Sequence, residues 1–138
     1  IEMLEQSGCG ARIAADAVPA YAQAQELARA GLASTLLPEN LALKSRIEAG
    51  PEIGDDRFAL LFDPQTAGGL LAGVPAKATE RCIAELRAGP APDAAAIGRV
   101  IGGAATDGRL VRIVVSSQSY RQTGDSGIRA LPPFASAE

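Results

Sequence analysis

The stretch Leu60-Leu61-Phe62-Asp63-Pro64-Gln65-Thr66-Ala67-Gly68-Gly69-Leu70-Leu71 decides how the rest of the chain is read. Phe58 to Phe62 is a continuous apolar run that stops at Asp63-Pro64, and Leu70 to Val74 is a second run closed by Pro75. Runs of that length between turn residues carry the signature of strands buried on both faces. Between them, Asp63 is a residue type that caps helix N-termini and Pro64 suits a first helical position, so Pro64 to Ala67 is expected to form a single turn. Gly68 and Gly69 would then let bare backbone approach another group, or hold an anion on exposed amides. The same residues also make an ordinary cap and turn between strands, and local chemistry alone does not separate the two.

Working upstream, Gly54-Asp55-Asp56 reads as a loop, and Leu43 with Ile47 suggests a weak helical segment ending at Gly50-Pro51. Leu36-Leu37-Pro38-Glu39-Asn40 has the composition of a turn. Ala20 to Ala30 places Tyr21, Ala24, Leu27 and Ala28 on one helical face, with Gly31 where the helix would stop. Ile1 to Ser7 reads as the end of a helix closed by Gly8, so the chain is expected to begin inside an element. A short apolar segment, Ala11 to Ala14, follows it.

Working downstream, Lys77 to Ala88 is an amphipathic helix with Ala78, Cys82, Ile83 and Leu86 on one side, ended by Gly89-Pro90. Ile97 to Gly102 alternates, Thr106-Asp107-Gly108 turns, and Leu110 to Val115 runs apolar, which predicts a hairpin. Helices this short are marginal in water and need a sheet to cover. The fold class expected is therefore α/β (α+β), a mixed sheet covered by helices. Residues 1–117 would form one domain and 118–138, rich in Ser, Gln, Gly and Pro, a flexible tail.

Composition narrows the function. Hydrophobic residues make up 47% of 138 and charged residues 21%, as in globular rather than disordered chains. The net charge of −3 and thirteen scattered Lys and Arg give no basic stripe for nucleic acid. No apolar run is long enough to span a bilayer and the first residues lack a signal peptide's basic region, so a soluble, cytoplasmic protein is expected. Histidine is absent, which removes Ser-His catalysis and the commonest metal ligand. Cys9 and Cys82 lack the close spacing of zinc or redox pairs; Cys82 reads as a core residue and Cys9 as an unactivated one.

The central stretch resembles the Asp-Pro-Gln-Thr-Ser-Gly-Gly-Leu-Leu segment of the selenophosphate synthetases (selenide, water dikinases), with Ala67 in place of the usual serine. The similarity extends, in the family's order, to Gly10-Ala11-Arg12-Ile13, Asp16-Ala17-Val18-Pro19, Ala30-Gly31-Leu32-Ala33-Ser34-Thr35, Pro38-Glu39-Asn40 and Ile97-Gly98-Arg99-Val100. It covers roughly Glu2 to Val115. It implies the carboxy-terminal domain of an enzyme related to aminoimidazole ribonucleotide synthetase, whose amino-terminal domain holds a reactive cysteine or selenocysteine, a lysine and the aspartates that bind magnesium-ATP. The parent would be a homodimer that uses selenide as substrate, and this half would close the cleft. No ATP or Mg2+ is expected to bind tightly to this chain alone.

On that resemblance Asp63, Gln65, Thr66, Gly68 and Gly69 are the candidates for facing nucleotide phosphates or the partner domain, with Asn40 behind them. The stretch offers no lysine or arginine and only one carboxylate, so no catalytic or metal-ligating residue is assigned, and the chain alone is expected to be inactive. Two other readings stay open: a non-catalytic binding or dimerisation module, which Ala67 and the tail leave standing, and half of another ATP-dependent synthetase of the same superfamily, against which the Asp-Pro-Gln-Thr segment argues. The sequence upstream of Ile1 separates enzyme from module: a reactive cysteine or selenocysteine with a nearby lysine favours the enzyme.

Overall fold

The computed structural model describes residues 1–64, 68–102 and 108–115. Four strands form one mixed sheet: β1 (Cys9–Ala14), β2 (Ile47–Ala49), β3 (Gly98–Gly102) and β4 (Val111–Val114), in the order β2-β4-β1-β3. β1 runs parallel to β4 and antiparallel to β3, and β2 is parallel to β4. The fold class expected from the sequence is the one observed. The predicted tail and the turn at Thr106-Asp107 lie outside the described residues.

Among the described residues five α-helices accompany the sheet: α1 (Glu2–Ser7), α2 (Ala24–Arg29), α3 (Leu37–Leu41), α4 (Asp55–Phe62) and α5 (Thr79–Arg87). α1 ends on Gly8 at φ 61°, the left-handed conformation that glycine adopts without steric cost, and the chain then enters β1. Gly31, at φ 80°, stops the turn after α2. Arg46 ties the start of β2 to α1 through an ion pair with Glu5 at 2.6 Å.

Six local expectations are corrected. Phe58 to Phe62 is the C-terminal part of helix α4, not a strand. Phe58 and Phe62, one turn apart, are buried, while Asp55 and Asp56 occupy the first turn where negative charge suits the helix dipole. The acidic pair is thus a helix start rather than a loop. Leu70 to Val74 forms no strand in this chain, and Leu70 is fully exposed. Leu37 to Leu41 is helical with Pro38 near its N-terminus, and Leu43 to Ile47 divides into a 3₁₀ segment (Ala42–Arg46) and the start of β2. Finally, β3 and β4 do not pair as a hairpin, because β1 lies between them.

The core is small and lies between α4 and one face of the sheet. Phe58 and Phe62, with ring centroids 4.8 Å apart, join Leu4, Ala11, Ala15, Leu110, Val111 and Ile113. Full burial of side chains of this size contributes about 1.5–3 kcal/mol each. α2 and α3 pack on α4, so α4 is the pivot between the sheet and the outer helices. α5 contributes no buried residue; Cys82, expected in the core, is only half-buried on it.

Candidate functional site

Each end of α4 carries a polar constellation, the two about 12 Å apart at 1.5 Å per residue. At the C-terminal end the helix stops at Asp63, whose backbone is extended. Asp63 therefore closes one helix; whether it also caps a turn over Pro64 to Ala67 concerns Gln65, Thr66 and Ala67, which lie outside the described residues. Its Oδ1 accepts the backbone N–H of Ser34 at 2.9 Å. Asn40 donates from Nδ2 to the carbonyl of Phe62 at 2.8 Å, satisfying one of the acceptors that a helix end leaves open. The Oγ of Ser34 accepts the N–H of Leu36, which shapes the entry to α3.

Ser34 and Asn40, six residues apart, thus both meet the C-terminal end of α4 across more than twenty residues of sequence. Asp63 and Asn40 were legible as candidates. The part played by Ser34 was not, because a backbone donor leaves no mark on residue type. Beyond the undescribed residues, Gly68 and Gly69 are exposed, and a Cβ placed on Gly69 would meet nothing within 4 Å. No neighbour among the described residues explains the glycine there, and the adjoining Leu70 and Leu71 (60% exposed) are also exposed.

At the N-terminal end of α4 an open cleft of about 640 Å³ lies where the parallel strands β1, β2 and β4 release the chain, with Ala15, Ile53 and Val115 in its wall. Asp56 sits at its edge and accepts Gln25 Nε2 at 2.8 Å and Arg29 Nε at 2.7 Å. The hydrogen bond from Gln25 is the main cause holding the Asp56 carboxyl below its ordinary range; Arg29 adds to it, and partial burial opposes both. Arg57 donates from Nε to the Ala15 carbonyl at 2.8 Å and from Nη2 to the carbonyls of Ala15 and Val18, clamping the segment that follows β1. The sequence does not reveal this cluster, because Gly54-Asp55-Asp56 has the composition of a loop.

Among the described residues no three Cys, Asp or Glu side chains gather where they could hold a metal ion, and no helix is long and apolar enough to cross a membrane. Cys9 donates its thiol to the Ser7 carbonyl, and both cysteines are free.

Residues 1–111 match the family model described as AIR synthase related protein, C-terminal domain. Over 115 residues, 83% of this chain, the sequence is 38% identical to a protein named selenide, water dikinase from Pelobacter propionicus, and the match takes in 32% of that protein. The chain therefore spans about a third of the length of the curated relative it matches. The mixed sheet with α4 across it and a matched segment running from the first residue into β4 place this chain in the AIR synthase related family, as a carboxy-terminal domain.

Proposed function

We propose that this chain is the carboxy-terminal half of a selenide, water dikinase, which makes selenophosphate from selenide and ATP, and that it closes an ATP cleft built by an amino-terminal domain. One observation carries the reading. Ser34, Asn40 and Asp63, each from a separate segment of the resemblance, are drawn together at the end of α4, and Gly68 and Gly69, a few residues on in sequence, are open to solvent. An entry residue held by its own domain, followed in sequence by exposed glycines, suits a surface completed by a second domain.

In this reading Asp63, Gln65, Thr66, Gly68 and Gly69 form the wall that faces the nucleotide. Asp63 holds the loop's entry, the glycines present amides, and Gln65 and Thr66 add neutral polar groups. Phosphoryl transfer is served mainly by positioning and by stabilising negative charge. The loop has no cation of its own, so magnesium, ATP and the reactive groups belong to the amino-terminal domain, and this half supplies orientation and exclusion of water. Residues 1–117 act as the domain.

The test is selenide-dependent release of AMP. The isolated chain is expected to give none and the longer polypeptide to give turnover. Turnover by the isolated chain at the longer protein's rate would overturn the division of labour, and a longer polypeptide that releases no AMP with selenide would overturn the reaction.

A further inference from the structure

The strand registers align a row of charges across all four strands. Arg12 on β1 faces Arg99 on β3 and Arg112 on β4, and Arg112 faces Glu48 on β2. Ala11, Val111 and Ile113 are buried on the face that α4 covers, so by alternation along each strand the arginine row belongs to the opposite face. Glu48 pairs with Arg112 at 2.9 Å, and Arg99 also has a partner. The side chain of Arg12, a half-buried residue in the middle of the row, makes no hydrogen bond or ion pair among the described residues. Like charges directly opposite on neighbouring strands destabilise a sheet, so this arrangement favours a covering anion over Arg12.

Apolar side chains flank the row on the same face: Ile101 on one side, and Val114, Ala14 and Ile97 on the other, all half-buried. Sheets built mainly of parallel pairs are stable when both faces are covered, and two of the three ladders here are parallel. A small phosphate compound is recognised in a concave site, which the middle of a sheet face is not. A half-buried arginine between apolar patches matches a carboxylate on an otherwise apolar surface.

We propose that this face, centred on Arg12, docks an amphipathic helix with a carboxylate in its apolar stripe, supplied by the amino-terminal half. The inference rests on the two-domain reading above, but its test does not involve turnover. In the isolated chain Arg12→Glu places a carboxylate between Arg99 and Arg112 and is expected to raise the folding equilibrium constant roughly two- to fivefold. In the longer polypeptide the same change opposes the docked carboxylate and is expected to lower it by a similar factor.

Arg12→Lys then locates the partner, because carbodiimide treatment of the longer polypeptide should join position 12 to an Asp or Glu outside residues 1–138. A change of the same sign in both proteins overturns the proposal. So does a cross-link that forms only to carboxylates within residues 1–138 or to a second copy, or one that does not form at all. A longer protein without selenide-dependent activity that still shows the sign reversal removes the reaction and keeps the docking face.

Discussion

The backbone N–H of Ser34 and the Oδ1 of Asp63 meet at 2.9 Å across 29 residues of sequence, joining the segment before α3 to the end of α4. A hydrogen bond to a carboxylate contributes about 1.5–3 kcal/mol when its loss leaves the donor unsatisfied. Asp63→Ala is expected to lower stability by that amount, and Asp63→Asn by less, since it keeps an acceptor oxygen. Urea denaturation of the three proteins checks the ranking.

Asn40 works at the same helix end with the opposite polarity. Asn40→Ala removes the donor to the Phe62 carbonyl and is expected to cost about 1 kcal/mol. Asn40→Asp is expected to cost more, because it sets a carboxylate against that carbonyl at the negative end of α4. Thermal melts of both variants at neutral pH decide the order, and a more stable Asp variant would contradict it.

The two phenylalanines of α4 and Leu70 are expected to behave oppositely, although all three come from apolar runs. Phe58→Ala or Phe62→Ala should cost about 3–5 kcal/mol, enough to unfold so small a core. Leu70→Ser should change the stability of the isolated chain by less than about 0.5 kcal/mol, as for other exposed positions. Circular dichroism with denaturant titration measures both.

Glycine on β3 matters at one end only. A Cβ on Gly98 would collide with the backbone carbonyl of Arg12 on the neighbouring strand, whereas at Gly102 it would meet nothing within 4 Å. Gly98→Ala is expected to cost about 1–3 kcal/mol by forcing β1 and β3 apart, and Gly102→Ala to be tolerated. Amide exchange across the β1–β3 ladder should rise in the first variant alone.

Acid is expected to act through Asp56. Its folded carboxyl titrates below the ordinary aspartate range, so the unfolded chain takes up the proton first as pH falls. The stabilisation is complete above that ordinary range and is lost as pH drops through it toward the depressed folded value. Gln25→Ala removes the main cause, and its stability profile between neutral and acid pH should be flatter than that of the unmodified chain.

Much of this architecture was legible in the residues, and the exceptions have physical causes. Gly8 and Gly31 marked helix ends because only their backbone freedom permits the turn, and the alternation of Ile97 to Gly102 marked β3. Phe58 to Phe62 misled because five adjacent apolar residues satisfy a buried strand and a buried helix equally. The deciding signal was the Phe58–Phe62 spacing after two aspartates, a helix face behind an acidic first turn. The hairpin failed for another reason: adjacency in sequence favours pairing, but β1, nearly a hundred residues earlier, took the position between β3 and β4. At the candidate site, Asp63 and the glycines were visible as residue types, while the Ser34 donor was not.

Placing β1 between β3 and β4 also constrains when the molecule can assemble. Ala11 finds Val111 only after almost all the intervening chain exists, and β2 waits for the same late strand. A ribosome making this polypeptide therefore releases α4 and its phenylalanines before the surface that shelters them is complete. Contacts so distant along the chain are entropically slow to close. Refolding is accordingly slower than in a helical protein of equal size, and newly synthesised chains pass through a period of exposure to chaperones and aggregation.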